Sequence, residues 1–174
     1  PERRRHREAQ EPDPTRPTLL YVGRLAAEKN LDLLFDAFER VRALVPGATL
    51  VCVGDGPERA RLEGRSVPGV LFRGYLEGDE LADAYANADL FVFPSRSDTF
   101  GNAVLEALAS GVPAVVAAEG GPAEQIVASG AGAVADAGDA GAFAHAVVRL
   151  VRDPDARAEL PETARGVNGF GSTG

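Results

Sequence analysis

The chain has 174 residues, 45% of them hydrophobic and 25% charged, which suits one globular domain and is too apolar for a disordered chain. A formal net charge of −8 speaks against nonspecific binding to nucleic acid or to anionic lipid, and a single cysteine excludes an internal disulfide and a cysteine-rich zinc site. No apolar run approaches the roughly 20 residues of a membrane-spanning helix and no signal-peptide pattern opens the sequence, so the expectation is a cytoplasmic protein.

Residues 1–17 read as a linker. They hold four prolines, five arginines and four acidic residues but no large apolar side chain, a composition that cannot pack. The run Arg3-Arg4-Arg5-His6-Arg7 is a solvated charge cluster rather than a nucleic-acid arm, given the acids around it. From Thr18 to Leu160 short apolar runs alternate with helical patterns. Strands are expected at Thr18–Val22, Thr49–Val53, Val70–Arg73, Leu90–Pro94, Pro113–Ala117 and, weakly, Ala131–Ala135. Helices are expected from Leu31 to the stop at Pro46-Gly47, and over Glu58–Glu63, Asp79–Ala88, Asn102–Ala109, Pro122–Ala128 and Ala142–Val151. Residues 161–174, Gly-rich and without period, read as an irregular tail.

Continuously apolar strands of four to six residues separated by amphipathic helices imply a parallel sheet covered on both faces. The fold class is therefore α/β, a doubly wound, Rossmann-like sheet of about six strands. Ligands of such sheets sit beyond the carboxyl ends of the strands, which directs attention to the loops after Val22, Val53, Arg73, Pro94 and Ala117.

The first of these loops, Gly23-Arg24-Leu25-Ala26-Ala27-Glu28-Lys29-Asn30, runs into a helix and carries two cations. It suits an anion, most readily phosphate, with a turn in which Glu28 pairs one cation as the competing reading. The chain has 17 arginines and one lysine, and that lysine is Lys29; a compact ammonium can reach a phosphate oxygen in a space too narrow for a planar guanidinium. The richest loop is Pro94-Ser95-Arg96-Ser97-Asp98-Thr99-Phe100-Gly101-Asn102. Asp98 lies at its mouth, and the amides after Gly101 open a helix and form a second anion site. Glu106, eight residues after Asp98, lies one turn into that helix. Its alternative is a solvated helix residue, as Asp98's is an N-cap. Gly120-Gly121-Pro122 and Gly54-Asp55-Gly56-Pro57 read as tight turns first. His6 and His145 build no Ser-His-Asp or Cys-His set. Asp153-Pro154-Asp155 matches a metal-binding DxD string but lies at a helix end, far from the strand-end loops, and reads as a turn.

In this order and spacing, these pieces resemble the carboxy-terminal, donor-binding half of retaining glycosyltransferases with the GT-B fold, of the family-4 or group 1 type. The matching residues are Gly23-Arg24 with Glu28-Lys29, Gly54-Asp55-Gly56-Pro57, Gly74-Tyr75, the stretch from Pro94 to Pro113, and Gly120-Gly121-Pro122-Ala123-Glu124. The resemblance implies a hexosyltransferase that uses a nucleoside-diphosphate sugar with retention and without a metal or other cofactor. Arg24 and Lys29 would neutralise the diphosphate. Asp98 and Glu106 would be the two acids of the family's E-x7-E signature, one on the donor sugar and one on the ribose. Gly23, Phe100, Gly101, Asn102 and Ala103 would line the donor, and Gly74-Tyr75 would border the base. Catalysis would rest on Asp98 with Arg24 and Lys29. Asp98 departs from the usual glutamate by one methylene. An amino-terminal acceptor half would complete the enzyme, this chain alone being inactive, and any peripheral membrane contact would run through that half. The competing readings are a non-catalytic nucleotide-sugar-binding module and another GT-B-fold enzyme such as a sugar epimerase or phosphorylase.

Overall fold

The computed structural model describes residues 13–153. Six strands form one sheet: β1 Thr18–Val22, β2 Thr49–Val53, β3 Val70–Gly74, β4 Leu90–Phe93, β5 Ala114–Ala117 and β6 Gly132–Ala135. Six helices connect and follow them: α1 Leu31–Leu44, α2 Arg59–Gly64, α3 Gly78–Ala86, α4 Asn102–Ala109, α5 Gly121–Ser129 and α6 Ala140–Arg152. Every strand pair is parallel and the order is β3-β2-β1-β4-β5-β6. The chain thus starts in the middle of the sheet, winds outward to β3, and crosses back to build the other half. The reversal leaves a crevice beyond the carboxyl ends of β1 and β4, because their following loops leave toward opposite sides.

β4 and β5 are buried at every position, as strands covered on both faces must be. α1 turns Leu31, Leu34, Phe35, Phe38 and Val41 inward and packs against α6, which buries Phe143, Val147, Leu150 and Val151. Side chains of this size each contribute about 1.5–3 kcal/mol when taken fully from water. Cys52 is buried in β2, and burial pushes its thiol up to about 12.

The bounds of β1, β2 and α4 coincide with the expected ones; the others differ by one or two residues for local reasons. β4 stops at Phe93 because the Pro94 carbonyl turns to accept from Asn30 Nδ2. β5 starts after Pro113, which has no N–H to give a ladder. α6 starts two residues early because Asp139 Oδ1 accepts from the amides of Gly141 and Ala142 at 2.8 and 3.0 Å, a strong N-cap. α3 stops at Ala86, two residues short, and α5 gains a residue at each end. A 3₁₀ turn at Ala27–Lys29, which periodicity is too short to reveal, precedes α1.

Of the expected linker, only residues 13–17 are described. Asp13 Oδ1 accepts from the amide of Thr15 at 2.8 Å, and the Pro17 carbonyl accepts from the amide of Thr49 at 3.0 Å. The Arg3–Arg7 run, His6, the second acid of Asp153-Pro154-Asp155, and the tail over 161–174 lie outside the described residues. Among the described residues no helix is long and apolar enough to cross a membrane.

Candidate functional site

Two loops meet at the crevice. The loop after β1 is tied to the loop after β2 by backbone bonds: Gly23 N to Val53 O at 3.0 Å and Leu25 N to Asp55 O at 2.9 Å. Gly54 has φ +127°, and a Cβ there would sit 2.0 Å from Gly23 O, so only glycine allows this approach. Asn30, in the left-handed region at φ 57°, uses its amide group to hold three loops together. Its Nδ2 donates to Pro94 O at 3.2 Å and to Ala137 O at 3.0 Å.

Across the crevice, Lys29 Nζ donates to both Asp98 oxygens at 2.9 Å. Both side chains are largely shielded, 18% and 22% exposed. Ser95, fully buried, donates from Oγ to Asp98 Oδ2. Lys29 also lies 6.0 Å over the Phe93 ring, a geometry favourable for a cation. Phe93 stacks on Tyr21 and on Phe91, which in turn meets Tyr85, so a row of aromatic rings underlies the crevice. Tyr21 Oη donates to Arg24 O at 3.0 Å, and burial raises its hydroxyl well above the phenol range.

The Asp98 loop is supported from behind by the start of α5. Gly121 N donates to Asp98 O at 3.2 Å, and Gln125 Nε2 donates to Phe100 O. A Cβ on Gly121 would lie 1.8 Å from Thr99 O, and one on Gly101, at φ +55°, 2.6 Å from Pro122 Cγ. The glycine pair Gly120-Gly121 is therefore more than a turn; it is the seat of the loop opposite.

These loops enclose a cavity of about 460 Å³. Of the expected site residues, Gly23, Lys29, Asp98, Phe100, Gly101, Asn102 and Ala103 line it, with the amino terminus of α4 opening onto it. Four are not on its wall. Arg24 is 65% exposed and faces Glu28 at 4.0 Å, the competing pairing the sequence allowed. Gly74 and Tyr75 follow the edge strand β3; Tyr75 is 74% exposed, and its hydrogen bond to Glu77 raises its hydroxyl above the usual range. Glu106 accepts from Tyr85 Oη at 2.9 Å, which joins α4 to α3, and burial with the Glu106 charge raises the Tyr85 hydroxyl.

A family model described as glycosyl transferases group 1 matches residues 2–167. The chain belongs to that family. It is 40% identical over 145 residues to a GDP-mannose-dependent alpha-mannosyltransferase of Mycobacterium tuberculosis, covering 83% of this chain and 34% of that protein. It is 44% identical over 111 residues to a sulfoquinovosyl transferase of Arabidopsis thaliana, covering 63% of this chain and 21% of that protein. Among solved structures, sucrose-phosphate synthase from Thermosynechococcus elongatus superposes with a TM-score of 0.76 at 29% identity, over 95% of this chain and 43% of that one. The chain is thus one α/β domain of a GT-B glycosyl transferase and spans 21–34% of the length of these two curated relatives. In this glycosyl transferase domain the loops after β1 and β4 meet in the crevice at the β1/β4 reversal.

Sequence reasoning missed Ser95, Asn30, Tyr85 and Gln125. Their signal is weak because each acts through one contact to a partner chosen by the fold. Only Ser95, three residues before Asp98 and next to a proline at a strand end, offered a local clue.

Proposed function

We propose that the chain is the nucleotide-sugar-binding domain of a retaining, metal-independent glycosyltransferase that moves a hexose from a nucleoside-diphosphate sugar to an acceptor. The acceptor site belongs to an amino-terminal domain outside this chain. One observation carries the reading: Lys29, Asp98 and the amino terminus of α4 share one cavity at the switch point of the sheet. A cation and a helix terminus suit a diphosphate, and a carboxylate beside them suits sugar hydroxyls. The mannosyltransferase relative, named for GDP-mannose, supports a nucleotide-sugar donor.

The leaving diphosphate develops charge as the sugar bond breaks. Lys29 and the α4 amides can take up that charge without a metal, each charge-assisted bond contributing about 1.5–3 kcal/mol. Asp98 accepts from donor-sugar hydroxyls and faces the positive charge that grows on the sugar. Arg24, now paired loosely to Glu28 at the rim, can swing onto the outer phosphate, while Glu106 and Tyr75 mark where ribose and base would extend.

Calorimetry with GDP, UDP and ADP and their sugars tests the proposal. Expected is a Kd of tens of micromolar to millimolar for one diphosphate series, weak because the proposed acceptor domain that would cover the cleft is not part of this chain. That Kd is unchanged by EDTA; affinity that vanishes with EDTA and returns with Mg²⁺ or Mn²⁺ overturns the metal-independent part. No binding in any series overturns the donor assignment.

A further inference from the structure

Apart from the Tyr21 and Tyr85 hydroxyls and the Cys52 thiol, Ser95 is the only buried polar side chain among the described residues, and the donor-binding reading gives it no task. It follows Pro94 directly after β4, a strand buried at every position. Its neighbour across the turn is Asp98, whose carboxylate is held asymmetrically. Lys29 Nζ is 2.9 Å from each oxygen and so does not distinguish them. The carboxylate torsion of an aspartate is broad and roughly two-fold. The two oxygens are chemically equivalent, and a cation shared between them leaves the carboxylate plane free to swing within that broad torsion. Ser95 pins the plane, because its hydroxyl holds one oxygen, Oδ2, in place.

The acceptor count then differs between the two oxygens. Each carboxylate oxygen offers about two lone pairs. Oδ2 accepts from Ser95 and Lys29 and is filled. Oδ1 accepts from Lys29 only and keeps one lone pair. Asp98 lines the cavity, and Oδ1 is its oxygen with an acceptor site left for a ligand donor. Because Ser95 is sealed from water, no solvent competes for its proton.

We infer that Ser95 is a positioning residue: its buried hydroxyl fixes the rotation of the Asp98 carboxylate and so reserves Oδ1 for a hydroxyl of the donor sugar. The inference rests on the donor-binding reading above and assigns the choice of oxygen within it. It separates the sugar contact, which passes through Ser95 and Asp98, from the diphosphate contact, which passes through Lys29 and α4.

The test is a double-mutant cycle on the full chain with Ser95→Ala, Asp98→Ala and the pair. Calorimetry compares GDP-mannose with GDP, and UDP-glucose with UDP. Ser95→Ala is expected to reduce the preference for the nucleotide sugar over its diphosphate about three- to tenfold, the scale of one hydrogen bond. The Kd for the diphosphate itself stays within about twofold. In the Asp98→Ala background, which has no side-chain acceptor left at that position, Ser95→Ala changes nothing further, since it acts through that carboxylate. A Ser95→Ala variant that weakens diphosphate and nucleotide sugar alike, or that costs as much without the Asp98 charge, overturns the inference and makes Ser95 a loop former. A crystal structure of Ser95→Ala needs no ligand: the Asp98 carboxylate plane should turn away from its wild-type orientation or spread over a range of torsions. One unchanged orientation there also overturns it. Wild-type protein that binds neither pair would instead remove the donor reading and the sugar contact with it, while the crystal structure still decides what orients Asp98.

Discussion

The two walls of the crevice are built differently. The loop after β1 is fastened by its own backbone to the loop after β2, with Gly54 leaving room for Gly23 O and Gly56 for Leu25 O. The loop after β4 has few such bonds. It is held by side chains that arrive from elsewhere: Lys29 and Asn30 from the first wall, Gln125 from α5, and Ser95 from its own strand end. A wall made of backbone resists single substitutions except at its glycines, whereas a wall made of side chains can be retuned one contact at a time. The second wall is also the one that carries Asp98, so the adjustable side of the crevice is the side proposed to meet the sugar.

The strongest test of that division is Asp98→Asn in an enzyme that joins this chain to its acceptor half. Turnover is expected to fall roughly 10²-fold, the scale of one lost electrostatic contact in the transition state. GDP or UDP affinity should not weaken, because the change removes a negative charge 2.9 Å from Lys29. Near-normal kcat would reduce Asp98 to a clasp between the walls. Next in size is Lys29→Ala, which loses a charge-assisted phosphate contact of about 1.5–3 kcal/mol and leaves Asp98 without its cation. Titration of the diphosphate measures it; an unaltered Kd would place the phosphates away from the first wall.

The backbone-built wall should fail at its glycines. Gly54→Ala forces a side chain into a positive-φ position against Gly23 O, and chemical denaturation should show a loss of about 2 kcal/mol. A neutral result would mean the loop yields, and the contrast between the walls would dissolve. The smallest effect is expected for Arg24→Ala. Its side chain is exposed and its partner Glu28 distant, so diphosphate affinity should drop less than about fivefold. A loss equal to that of Lys29→Ala would show that Arg24 leaves the rim to join the ligand.

How much of this was legible follows from the same contrast. Strands such as Leu90–Phe93 announce themselves by continuous burial, and α1 by its spacing of Leu31, Leu34, Phe35 and Phe38, because period is a property of neighbours in sequence. Glycines 54, 101 and 121 were visible as turn residues, although which atoms they spare from collision was not. The meeting of Lys29 with Asp98 links positions 69 apart and depends on β1 lying beside β4, which no local pattern encodes. Arg24, Tyr75 and Glu106 sit on the expected loops and helix but have side chains engaged by Glu28, Glu77 and Tyr85, and the direction of a loop or helix side chain is fixed only once its neighbours are in place.

Cys52 gives the chain a built-in clock. As the single thiol, buried in β2 and kept protonated far above neutral pH, it is shut off from alkylating reagents until the sheet itself opens. The rate at which it is modified therefore counts openings of the native state, and a bound nucleotide should slow that rate in proportion to its occupancy. A second cysteine placed at exposed Phe100 could carry a fluorophore at the mouth of the crevice with Cys52 left unlabelled, so one molecule could report ligand arrival and global breathing on separate channels.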